Sequence, residues 1–173
     1  SKLALPCAPG ADIVEILFRQ HIRADDRVLV IGGSSELADK LRADFGLRDL
    51  RWFDAPHGLR TNAAARRQCV DFIRDNPAAF IFLAVGSPQQ ELLAHAVWQS
   101  GRATGIGLCI GAAIEFLIRP EDRAPRWMSS YGLEWLFRLM KEPRRLWRRY
   151  LIQSPKVLGL IFKQWRAGEG PSA

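Results

Sequence analysis

Three short apolar runs each end in glycine, and this pattern narrows the fold more than any other feature. Arg27-Val-Leu-Val-Ile31 runs into Gly32-Gly33-Ser34-Ser35, Ala79 to Val85 into Gly86-Ser87-Pro88, and Thr104 to Ile110 into Gly111-Ala112-Ala113. Runs of this length and β-branched content read as buried strands, and the glycines as tight turns leading out of them. Leu50 to Phe53 reads as a further strand, and Asp54-Ala-Pro-His-Gly58 as the loop after it. Between the strands lie segments with helical spacing. One runs from the N-cap near Ser34 to about Phe45, with Gly46 ending it; the others are Asn62–Asp75 and Gln89–Ser100. Ala11 to His21 is helical in pattern, and Ser1 to Pro9 reads as loop. Alternating β and α with continuously apolar strands predicts an α/β fold: a Rossmann-like, doubly wound parallel sheet with helices on both faces. Such sheets bind ligands at the carboxyl ends of their strands, here Gly32 to Ser34, Asp54 to Gly58, Gly86 to Gln90 and Gly111-Ala112.

Charge divides the chain. Residues 1–118 carry 13 Lys and Arg against 13 Asp and Glu, whereas residues 119–173 carry 12 against 5. The whole excess of +7 therefore lies in the last third, with Trp127, Trp135, Trp147 and Trp165. The expected organisation is a neutral body, 1–118, and a basic, aromatic helical appendage, 119–173, drawn to polyanions. On a helix from Pro143, Arg144, Arg145, Arg148 and Arg149 share one face, and Leu146, Trp147, Tyr150 and Leu151 the other. Such a helix suits a membrane interface. It could equally pack its apolar side on the body, or on a neighbouring subunit in a homo-oligomer. Nucleic-acid binding is a weaker reading, since no base-reading module is recognisable.

The 173 residues suffice for one domain with an appendage. Cys7, Cys69 and Cys109 form no CxxC pair, so neither a disulfide framework nor a zinc site is expected. Ser1 to Pro9 lacks the apolar run of a signal peptide. The longest uncharged apolar stretch, near Ala103 to Ile114, falls short of the ~20 residues a span needs.

Local chemistry leaves several roles open. Gly32-Gly33-Ser34 at a helix start suits a phosphate or is simply a turn. Glu91 fits helix capping slightly better than ligand contact, and Gln90 is undecided. His57 and His95 lack partners by spacing and read as structural or surface residues. His21 suits a helix C-terminus.

Several ordered strings carry a family resemblance. They are Val30-Ile-Gly-Gly33, His57-Gly58, Gly86-Ser-Pro-Gln-Gln-Glu91, Gly111-Ala112 with an acidic residue soon after, and Arg123-Ala-Pro125. Gly132-Leu-Glu-Trp135, Arg138-Leu139, Glu142-Pro143-Arg-Arg145-Leu146 and Arg149-Tyr150 continue the series. In these the chain resembles the WecG/TagA/CpsF-type glycosyltransferases, glycosyltransferase family 26. The resemblance implies inverting, metal-independent transfer of a sugar from a UDP-sugar to a polyprenyl-diphosphate-linked acceptor, in bacterial surface polysaccharide synthesis. It implies no cofactor, and a cytoplasmic protein peripheral on the inner face of the membrane. It assigns Gln90 as catalytic and Gly32, Gly33, Ser34, Gly86, Ser87, Glu91 and Gly111 to substrate. Arg138, Arg145 and Arg148 are expected to meet diphosphate. Against the family pattern, Ser1 falls near the middle, and the family's proposed catalytic aspartate lies upstream of that position. Asp12 matches a different family position. The family's Asp-Phe-x-x-Gly reads Glu115-Phe-Leu-Ile-Arg119. The alternative reading is a non-catalytic relative that binds a lipid-linked sugar or a partner enzyme.

Overall fold

The structure, a computed structural model, describes residues 9–119, 124, 125, 128, 133–141 and 143. The Ser1–Pro9 loop falls almost wholly outside them, as does the helix expected from Pro143. The chain divides into two compact units, Ser1–Pro120 and Glu121–Ala173.

In the first unit, β1 (Arg27–Gly32), β2 (Asp49–Phe53), β3 (Phe80–Ala84) and β4 (Ile106–Cys109) form an all-parallel sheet in the order β2-β1-β3-β4. Val28 to Ile31 of β1 are completely buried. Period-two geometry then sorts the strand residues between two cores. Val28, Val30 and Phe82 face α1 (Gly10–Ile16), α2 (Ser35–Phe45) and Ile114. Leu29, Ile31, Ile81 and Leu83 face α3 (Ala63–Asp75) and α4 (Gln89–Ser100). Helices thus cover both faces, as parallel strands require.

Helix ends follow local chemistry. Ser34 Oγ accepts from the Leu37 N–H (3.2 Å), and Asn62 Oδ1 accepts from the Ala65 N–H (3.1 Å). Gly46 closes α2 in the left-handed conformation, which glycine adopts without a Cβ penalty.

Two expectations are corrected. Residues 11–21 do not form one α-helix: α1 gives way to a π-helical turn, Leu17–His21. That turn seats Phe18 with ring centroids 5.0 Å from both Phe45 and Phe82. β4 is not buried like β1 and β3. It lies at the sheet edge, Ile106, Gly107 and Cys109 are exposed, and its glycine offers no side chain to a covering helix. Beyond it, a 3₁₀ turn (Gly111–Ile114) leads into the short α5 (Glu115–Ile118). Cys69 is a buried free thiol, pushed up to about 11 by burial, and Cys109 is an exposed one.

In the second unit, α6 (Glu134–Lys141) is described, with Lys141 Nζ 5.4 Å from the Phe137 ring centroid. Ala124 and Met128 are buried. Among the described residues, no helix is long and apolar enough to cross a membrane.

At the amino ends of the strands, Arg27 Nε donates to Asp49 Oδ2 (2.5 Å) and Arg51 Nε to Asp49 Oδ1 (3.1 Å). The hydrogen bond from Arg27 holds the Asp49 carboxyl below its ordinary value, Arg51 adds to this, and partial desolvation opposes it. A depressed carboxylate stabilises the fold above its unfolded pKa and loses that contribution as pH falls through the folded value. The pair is one-third exposed, so its contribution is about 0.5–1 kcal/mol after screening. Asp49→Asn should therefore lower the melting temperature by a few degrees at pH 7. Thermal unfolding followed by circular dichroism should show that gap closing as pH falls below the carboxylate range. Phe82→Ala should cost about 3–5 kcal/mol at any pH, measured by denaturant titration, because its fully buried ring joins the first core.

Candidate functional site

The chain winds from β1 outward to β2, then returns past β1 to β3. The reversal puts a topological switch point between β1 and β3, where doubly wound folds open a crevice. Gly32 pairs with Ala84 at its lip. A cleft of about 220 Å³ opens there, lined by Gly32, Gly33, Asp54, Ala55, Pro56, His57, Leu59, Ala84, Val85 and Gln89.

The lip requires glycine. Gly32 has φ +88°, and a Cβ there would stand 2.7 Å from Val85 Cγ1 and 3.1 Å from the Ala84 carbonyl oxygen. Gly33 has φ +72° and would meet Leu37 Cδ2 at 2.7 Å. The Trp52 indole N–H donates to the Gly32 carbonyl (3.0 Å), pinning the turn from β2. The turn delivers Ser34 to the start of α2, where first-turn N–H groups lack helical partners and the helix dipole favours an anion.

A second group of residues gathers at the ends of β3 and β4. Gln90 is 8% exposed. Its Nε2 donates to Glu91 Oε1 (2.9 Å), and its backbone N–H donates to the Gly86 carbonyl (2.9 Å). Its Oε1 is buried with no hydrogen-bond partner. Reversing the amide would set its oxygen against the Glu91 carboxylate, so the orientation with Oε1 inward is the one the charges favour. Gly111 stands against this oxygen: a Cβ there would lie 3.5 Å from Oε1 and 3.9 Å from the Gly86 Cα. Cys109 Sγ donates to the Gln90 carbonyl (3.6 Å). Partial desolvation of the sulfur at this otherwise exposed residue, then the charge of Glu91, pushes its thiol above the ordinary value. A buried amide acceptor without a donor is a standing cost.

The structure therefore brings together Gly32, Gly33 and Ser34 in one group, and Gly86, Gln90, Glu91 and Gly111 in another. Ser87 stands exposed beside the second. The capping reading of Glu91 does not hold: Pro88 occupies the N-cap position and has no N–H to donate. Glu91 holds Gln90 instead. Arg138 lies on α6, and Arg145 and Arg148 fall outside the described residues. Arg119, in place of the family's glycine, pairs with Glu36 (2.9 Å). Asp54 and His57 line the cleft without being among the expected site residues, although both come after β2. Nothing local in the sequence marks Asp54 beyond its place at a strand end, and the spacing around His57 offers it no partner.

Fold and crevice define a doubly wound α/β protein with a cleft at its switch point. A family model described as the glycosyl transferase WecG/TagA/CpsF family matches residues 4–170. The chain belongs to that family. It is 31% identical over 167 residues to the N-acetylglucosaminyldiphosphoundecaprenol N-acetyl-beta-D-mannosaminyltransferase of Bacillus spizizenii. The match covers 94% of this chain and 62% of that relative, so the chain spans under two thirds of the relative's length. No solved structure matches the chain.

Gln90→Leu tests whether the orphaned oxygen is functional. It removes a buried unsatisfied acceptor and a bond to an exposed carboxylate. The melting temperature should hold or rise by a few degrees. A fall beyond about 5 °C would make the side chain structural.

Proposed function

We propose that this chain is the donor-binding part of an inverting glycosyltransferase. It moves a sugar from a UDP-sugar to a polyprenyl-diphosphate-linked acceptor in bacterial surface polysaccharide synthesis. The observation that carries the reading is the buried, unpartnered Gln90 Oε1, at the switch-point end of a sheet whose family transfers sugars. The acceptor class follows the name of the Bacillus relative, which acts on a diphosphoundecaprenol-linked sugar.

The chemistry assigns roles. An acceptor hydroxyl attacks the anomeric carbon from the face opposite the nucleotide. The bond from that carbon to the UDP oxygen breaks, and its electron pair leaves on the diphosphate. The neutral amide of Gln90 does not take up a proton at working pH, so it is not the base, and the hydroxyl proton leaves to water as the new bond forms. Its Oε1 accepts a hydrogen bond from the donor sugar and fixes the anomeric carbon in line. Gly111 sets no side chain against that oxygen, and the bound sugar reaches it by displacing the backbone that covers it in the free chain. Negative charge on the leaving diphosphate is met by backbone N–H groups at the start of α2 with Ser34 beside them, and by the Ser87 hydroxyl across the switch point. In this reading Arg138, Arg145 and Arg148 meet diphosphate from the basic segment, and transfer needs no metal. That segment also brings the protein to the inner face of the cell membrane, since anionic lipid attracts each Lys or Arg by about 1 kcal/mol.

Calorimetric titration should show UDP binding with ADP as a non-binding control, and Gln90→Leu should weaken binding of UDP-sugar more than that of UDP. Equal affinity for UDP and ADP, or none for either, would contradict the reading. The chain should also sediment with vesicles containing anionic lipid and release as salt rises. Indifference to lipid charge would remove the membrane role.

A further inference from the structure

We propose that Asp54 binds the ribose diol of the nucleotide and so sets the direction in which a ribonucleoside diphosphate lies in the cleft. The inference rests on the donor-binding reading above and adds a residue that reading does not use.

Asp54 directly follows β2. Phe53 before it pairs with Ile31, so Asp54 comes level with the Gly32-Gly33 turn and lines the cleft. The unit is rich in arginine, and Asp25, Asp39, Asp49, Asp71 and Asp75 each meet one. Asp54 and Asp44 make no hydrogen bond or ion pair among the described residues, and of these two only Asp54 lines the cleft.

Charge then orders the ligand. A carboxylate repels phosphate, so the diphosphate cannot lie against Asp54. The start of α2 attracts phosphate, and the Trp52 bond to Gly32 fixes that start relative to β2. A ligand spanning both places must turn anionic groups to Ser34 and neutral hydroxyl donors to Asp54. Two vicinal hydroxyls match the two carboxylate oxygens. In dinucleotide-binding doubly wound folds, whose glycine turn is a GxGxxG that this chain replaces with Gly32-Gly33-Ser34-Ser35, an acidic side chain roughly 20 residues further on takes the ribose 2′-hydroxyl, and Asp54 stands at about that distance from Gly32. Size agrees. About 220 Å³ is below the ~300–1,000 Å³ of pockets that hold a whole ligand. It holds the ribose and its adjoining phosphate and leaves the transferred sugar outside, on the Gln90 side.

The test is calorimetric titration of the 173-residue chain and its Asp54→Ala and Asp54→Asn variants with UDP and with 2′-deoxy-UDP. Wild type should bind UDP about tenfold or more tightly than 2′-deoxy-UDP, as loss of a hydrogen bond to a charged group implies. Asp54→Ala should bind both nucleotides equally, at the weaker level, with an unchanged melting temperature. Asp54→Asn should fall between. A tenfold preference for UDP that persists in Asp54→Ala overturns the inference while leaving the donor site intact. UDP binding that requires Mg²⁺ in wild type and not in Asp54→Ala also overturns it, by placing a cation at Asp54. No UDP binding by wild type overturns the functional reading and this inference with it.

Discussion

The parallel pairing of β1 with β3 is the constraint on which the first unit depends. A strand with Val28 to Ile31 wholly buried must have helices on both faces. Right-handed crossovers then send α2 to one face and α3 and α4 to the other. Helices leaving neighbouring strands in opposite directions cannot close over the point of divergence. The crevice is therefore a consequence of how the core is built. Its lip is the Gly32–Ala84 pair, where two positive-φ glycines in succession bring backbone to the surface without side chains in the way.

A small set of polar groups at the carboxyl end of the sheet is under opposing demands. Gln90 is held by Glu91 on one side and left unsatisfied on the other. That arrangement costs stability unless a ligand completes it. Asp54 carries a charge that no arginine neutralises among the described residues. The α2 start carries the opposite polarity across the same cleft. In the proposed reading, such asymmetry orients a ligand that is anionic at one end and hydroxylated at the other. The strong positive charge sits elsewhere in the sequence, in residues 119–173. A neutral body with a basic segment fits a reaction between a soluble nucleotide and an anionic lipid.

Most of the fold is legible in the sequence because its determinants are local. Ser34 and Asn62 announce helix starts, Gly46 a helix end, and the apolar runs the strands. α4 spans the very residues expected, Gln89–Ser100. The misses have long-range causes. The π-helical turn exists because Phe18 must reach Phe45 and Phe82, contacts that spacing along one segment does not encode. β4 is apolar enough to read as buried, yet sheet order leaves it at an edge. At the site, the glycine turns and the Gly86–Glu91 string are visible as motifs. The burial of Gln90, the Trp52 bond to Gly32 and the place of Asp54 in the cleft arise only when β1, β2 and β3 come together. Glu91 misleads because a carboxylate in a first turn resembles a cap until Pro88 removes the N–H it would need.

The central claim is that a uridine nucleotide occupies the switch-point end of this sheet. Amide NMR of the ¹⁵N-labelled chain during UDP titration tests it most directly, because glycine signals lie apart from the rest of the spectrum. The account predicts saturable shifts at Gly32, Gly33, Gly86 and Gly111, with Gly46 and Gly101, at the far ends of α2 and α4, unmoved. Shifts confined to other regions, or none at saturating UDP, would contradict it.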